Sequence, residues 1–241
     1  MRNLLSWYAF DALLRGRLDA SDRVRLLGSW LCWQIFCAAI FGASLGVYAL
    51  TTRAPADPRF LLAGAVKIPL LLIFTSVITV PSLYVFGALR GLRFSAREFG
   101  AHLMVAHTIL AAVLGSLAPV ITFFALTTTS YPFMVLLDVF ACALAGLFGV
   151  RVFVRALNEP APQPEAPPEE GTPTPQPRVD SGAWQLLGWW LALYMFVGAQ
   201  VGWILRPYIG RPDLPWVLLR GKQGGFIEGV LHNLGQLLKG D

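Results

Sequence analysis

Hydrophobic and polar positions fall into a coarse block pattern along the chain. Five apolar blocks, at about 29–50, 66–88, 103–126, 132–154 and 184–205, alternate with short stretches that hold most of the charge. Each block has the ~20 residues that a helix needs to cross a hydrocarbon core of ~30 Å. No block shows the two-residue alternation of a half-buried strand. The pattern predicts an all-α fold, a polytopic transmembrane helix bundle of about five spans with amphipathic N- and C-terminal segments.

Small residues add a second pattern inside the blocks. Ala38, Gly42 and Gly46 recur every four residues in the first, and Ala141, Ala145 and Gly149 do so in the fourth. The third carries Ala111, Gly115 and Ser116, with Pro119 late in the span, and the fifth carries Gly198 and Gly202. Such stripes let a second helix approach closely in lipid. In the second block Pro69 and Pro81 each remove a backbone donor, which predicts a kink near residues 77–81.

The segments between and around the blocks divide the chain. Residues 1–28 mix Leu4, Leu5, Trp7, Tyr8, Phe10, Leu13 and Leu14 with Arg2, Asp11, Arg15 and Arg17, as amphipathic helices of the head-group layer do. Charges run on to Arg25 with no small-residue cleavage site, so no cleaved signal peptide is expected. Residues 29–154 form a four-span block. In 155–183, the run 158–180 holds eight prolines and four glutamates, the composition of an extended, solvated linker. Residues 184–241 supply the fifth span and a tail, in which RPYIGRPDLP is turn-rich and FIEGVLHNLGQLL is amphipathic.

Composition agrees with a lipid environment. Hydrophobic residues make up 56% and charged ones 14%, with mean hydropathy +0.59, whereas soluble domains carry roughly 25% charge. The net charge of +5 does not indicate nucleic acid, because no basic patch is interleaved with aromatics. Lys and Arg instead flank the spans. With the N-terminus inside, the inner segments hold eleven of them and the outer loops three, which favours a cytoplasmic N-terminus and an outside C-terminus. Arg206, Arg211, Arg220, Lys222 and Lys239 of the tail run against that count.

Polar residues inside spans are the candidates for chemistry. Asp138 is expected mid-span in the fourth block, either as a proton relay or cation site or as a neutral group that fixes packing. His102 and His107 are five apart, ~140° around a helix, so they cannot share a metal as a helical His pair does. His102 is expected at the interface and His107 inside the third span. Gln34 and Gln200 are read as adhesive amides between helices. Lys67 is read as snorkelling from a span end. Thr127, Thr128, Thr129 and Ser130 are read as satisfying free helix ends in a tight hairpin. Cys32, Cys37 and Cys142 fall in apolar blocks and form no disulfide framework. The many Trp residues near span ends form an interface belt. Phosphate-binding, dinucleotide-binding, zinc-protease, CxxC and nucleophile-elbow motifs are missing, so no catalytic residue, metal or cofactor is assigned.

Three runs carry a resemblance over about residues 66–230. They are KIPLLLIFT with PSLYVF, then LAPVITFFALTTTSYPF, then GAQVGWILRPYIGRPDLPWVLLR. The chain resembles a family of uncharacterised bacterial integral membrane proteins, and Arg206, Pro207, Gly210, Pro212 and Pro215 are the most specific part of the match. The resemblance implies a fold and a compartment, the bacterial inner membrane, and no reaction. In outline alone, the five spans are also similar to Yip1-type membrane proteins. The expected function is a non-enzymatic membrane scaffold or accessory subunit that binds lipids and either another membrane protein or itself. Arg206, Pro207, Tyr208, Gly210, Pro212 and Pro215 form its expected contact segment. The alternative is a small transporter or channel component with a polar path through Asp138, His107, Gln34 and Gln200.

Overall fold

The structure is a computed structural model that describes residues 6–16, 20–89, 96–158, 181–205, 209–210, 216–217, 219 and 225–239. Its elements are the helices α1 (Trp7–Leu14), α2 (Ala20–Arg25), α3 (Leu27–Thr52), α4 (Arg59–Leu89), α5 (Ala96–Thr127), α6 (Tyr131–Asn158), α7 (Ser181–Leu205) and α8 (Phe226–Lys239). Among the described residues there is no strand. Helices α3 to α7 are each long and apolar enough to cross a bilayer, so the chain is a multi-pass helical membrane protein. Of the expected linker, 155–183, residues 159–180 lie outside the described residues, whereas 155–158 end α6 and 181–183 begin α7.

The helices outrun the apolar blocks, because nothing breaks them at the block edges. α4 starts at Arg59, just after Pro55 and Pro58, and runs as one continuous helix through Pro69 and Pro81. The earlier start also overturns the reading of Lys67. It sits eight residues inside α4, only 4% exposed, and is buried in the bundle instead of snorkelling from a span end.

We call the bundle end at which α3 starts the near end and the opposite one the far end. The short connections 53–58 and 128–130 make α3–α4 and α5–α6 antiparallel hairpins. α3 is the central helix, packed along both α4 and α5. Its small-residue stripe makes the first contact. A Cβ added to Gly42 would fall on the carbonyl of Gly64, and one on Gly64 would fall on the carbonyl of Gly42. Gly46 meets the backbone of Leu61 in the same way. On the other side Gly115 of α5 lies against Cys37, with 3.2 Å left for a Cβ. α6 closes on α5 through Gly149, which faces the Ala106 carbonyl and Leu110. In lipid this close packing, more than water exclusion, holds helices together.

α7 does not pack along α3 or α6. It lies along α4, running antiparallel to it, with Gly198 opposite Thr75 and the Trp190 Nε1 donating to the Thr79 carbonyl at 3.1 Å. Near its start it also meets α6, where Trp190 and Phe153 place their ring centroids 6.1 Å apart. α1 is docked more than floating. Ser6 caps it by accepting from the Ala9 amide at 3.3 Å, Gly16 ends it at φ +66°, and Phe10 stacks on Trp33 at 4.2 Å. Trp7 and Tyr8 stay exposed. At the far end α8 rests on α6 and α7, its Gly229 under the Trp203 ring. Ile227, Leu231, Leu234 and Leu238 form an exposed apolar stripe on it, as expected for a surface helix.

The glycine contacts generate a test. Gly42→Ala should lower the thermal midpoint in detergent by the equivalent of about 2 kcal/mol or more, because two backbones must separate. Gly146→Ala, where nothing lies within 4 Å, is the matched control and should melt like the parent. Equal midpoints for both variants would mean that α3 and α4 do not meet at this glycine.

Candidate functional site

Hydroxyl groups inside the spans are first satisfied by the helices that carry them. Thr75, Ser76 and Thr79 donate to the carbonyls of Leu71, Leu72 and Thr75 at 2.7, 2.8 and 2.7 Å. This polar stripe faces α5 and α7. There His107 of α5, 4% exposed, joins three helices. Its Nδ1 lies 2.9 Å from the Leu103 carbonyl, which can only accept, so Nδ1 carries the proton. In the neutral ring Nε2 is then an acceptor. The Tyr194 hydroxyl of α7 donates to it, and the Ser76 Oγ of α4 lies 3.2 Å away with its proton turned to Leu72. The His107 and Tyr194 rings also meet edge to face, with centroids 5.6 Å apart.

The other candidates do not join this cluster. Gln34 lies in the α3 core, 2% exposed, and its Oε1 has no hydrogen-bond partner. Gln200 of α7 lines an open cleft of about 680 Å³ with the first turns of α8, including Glu228 and His232. Asp138 is the eighth residue of α6, ~10 Å from the far end of that helix, and so is not mid-span. It is half-buried and accepts from the Cys142 thiol one turn along the same helix at 3.7 Å. His102 is 5% exposed and stands three residues after the start of the apolar α5 span at Phe99. No group of three or more His, Cys, Asp or Glu capable of holding a metal occurs among the described residues.

At the hairpin the hydroxyls do satisfy helix ends. The Ser130 amide donates to Thr128 Oγ1 at 3.2 Å, and the Phe133 amide to Ser130 Oγ at 3.4 Å. Tyr48 and Thr51 of α3 donate across to the Thr129 and Ala125 carbonyls at 2.7 and 3.0 Å. In the tail, Arg206, Pro207, Tyr208, Pro212 and Pro215 lie outside the described residues. Gly210 is described and buried. At φ +78° it sits against Ala49 and Phe60, while Ile209 joins the core, so this part of the expected contact segment folds onto the bundle's own far end.

Sequence reasoning missed Ser76, Trp190 and Tyr194 as members of one strip. The spacing Thr75, Ser76, Thr79 was a signal for a polar face on the second span. Tyr194 gave none, being one aromatic among many. Set against family models, curated proteins and solved structures, the chain matches none.

What the His107 cluster does chemically is to fix α7. Tyr194→Phe deprives Nε2 of its donor in a dry site and should cost about 1–3 kcal/mol, as should His107→Leu. The double variant should lose less than the sum, with a coupling of at least about 0.5 kcal/mol by thermal melting. Strict additivity would show that the two side chains do not interact.

Proposed function

We propose that the chain is a non-enzymatic scaffold or accessory subunit of a bacterial inner membrane, with its N-terminus cytoplasmic, and that it binds another membrane protein or a second copy of itself through α7. What carries the reading is the outward face of that helix. Only 6% of the α7 span is buried, against 22% for α6, the next lowest. Gly188 has nothing within 4 Å, and Ala192, one turn on, is exposed. Trp189, Leu193 and Phe196 project beside them at 78, 45 and 55% exposure. Small residues facing lipid leave a groove that acyl chains fill poorly, and large neighbours frame it; helix pairs form at such grooves.

The transporter alternative needs its polar groups to share a path. Gln34, His107, Asp138 and Gln200 sit on four helices, and His107 and Asp138 already have local partners. That distribution favours the scaffold.

Extraction at native expression, followed by mass measurement of the intact complex, tests the proposal. The parent should carry a second protein chain, and Gly188→Leu with Ala192→Leu should release it while leaving the thermal midpoint unchanged. Asp138→Asn should retain it. A parent that runs as a lone monomer would sink the scaffold reading.

A further inference from the structure

Buried Ser and Thr hydroxyls within the spans donate to a carbonyl one turn back, and the indole N–H groups of Trp30 and Trp190 donate to the carbonyls of Arg23 and Thr79. Two groups at the near end of α3 break that rule. Ser29, 5% exposed, has no partner for its Oγ, and Trp33, 7% exposed, has none for its Nε1. Ser29 stands in the first turn of α3, so no earlier turn of that helix offers it a carbonyl. Trp33 follows at four residues, on the same side of the helix.

These two groups are donors, unlike the idle acceptor Gln34 Oε1 on the same helix, and they sit toward the positive pole of a 26-residue helix whose N-cap, Leu26, makes no side-chain cap bond. α2 lies against this end, since Trp30 reaches the Arg23 carbonyl at 3.1 Å, and it brings Arg23 and Arg25 in its last turn. The nearby Asp11 carboxylate is already held by Arg15 at 2.8 Å. Hydroxyl, indole and helix pole together call for an anion with several acceptor oxygens. Depth selects its source. The apolar span begins at this end, and Trp7, whose ring lies 5.5 Å from Trp33, is exposed beside Tyr8 as interfacial aromatics are.

We propose that the near end of α3 binds the phosphate of an anionic phospholipid, with Ser29 and Trp33 as donors. The proposal is independent of the α7 interface. The full-length protein, labelled with 15N-tryptophan in detergent, is titrated with phosphatidylglycerol, and the Trp33 indole N–H resonance is assigned through Trp33→Phe. That resonance should shift with saturation, and one phosphatidylglycerol should survive per chain in native mass spectrometry. Ser29→Ala should weaken retention at least tenfold, and Ser29→Thr should restore it. Competition by millimolar inorganic phosphate at the same resonance would identify the phosphate group as the ligand; phosphatidylglycerol binding without it would assign the site to the lipid form. An unmoved Trp33 resonance with both probes, or equal lipid retention by the parent and a normally melting Ser29→Ala, overturns the proposal.

Discussion

The contact between Gly42 of α3 and Gly64 of α4 sets the spacing of the whole bundle. Two backbones touch there with no side chain between them, and Gly46 on Leu61 repeats the contact one turn on. With α4 held that close, α3 can still present its other side to α5, where Gly115 accepts Cys37. α4 in turn is turned so that Thr75, Ser76 and Thr79 face α5 and α7. Every later contact, including those of α7, inherits this geometry.

Lipid then dictates how polar groups are used. No water is at hand to satisfy them, so each hydroxyl within α4 is bonded to its own helix before it meets another. His107 follows the same logic at a higher level. Its own helix takes the Nδ1 proton, which leaves a single acceptor to be shared across α4 and α7. A ring used in this way orients a neighbouring helix, and the fifth span is the one that needs orienting, since it buries so little of its surface.

Spans and small-residue stripes were legible because hydropathy and four-residue spacing are properties of the chain read in one dimension. How five upright helices stand beside one another is not such a property. Nothing in the chain's pattern says which span the fifth lies along, and it lies along the second. Its stripe was read at Gly198 and Gly202; Gly198 turns inward to Thr75, whereas the uncovered pair is Gly188 and Ala192. Depth was misjudged wherever a helix outran its apolar block. Lys67 became buried when α4 began at Arg59, and Asp138 moved toward the far end when α6 was seen to begin at Tyr131 and extend to Asn158. His107 stood out as a polar residue within a span, but its partners come from helices 31 and 87 residues away, a distance that no local pattern encodes.

The ring contact between Phe153 and Trp190 bears on the segment that separates them. It brings the last turns of α6 against the tenth residue of α7, although residues 159–180 intervene. A connection of a few residues joins neighbouring helices in most bundles. Closing a longer loop between anchored ends adds only about 0.6 kcal/mol for each doubling of its length. Length at this point is therefore nearly neutral for stability. The ring contact holds the helices on either side together whatever length of chain joins them.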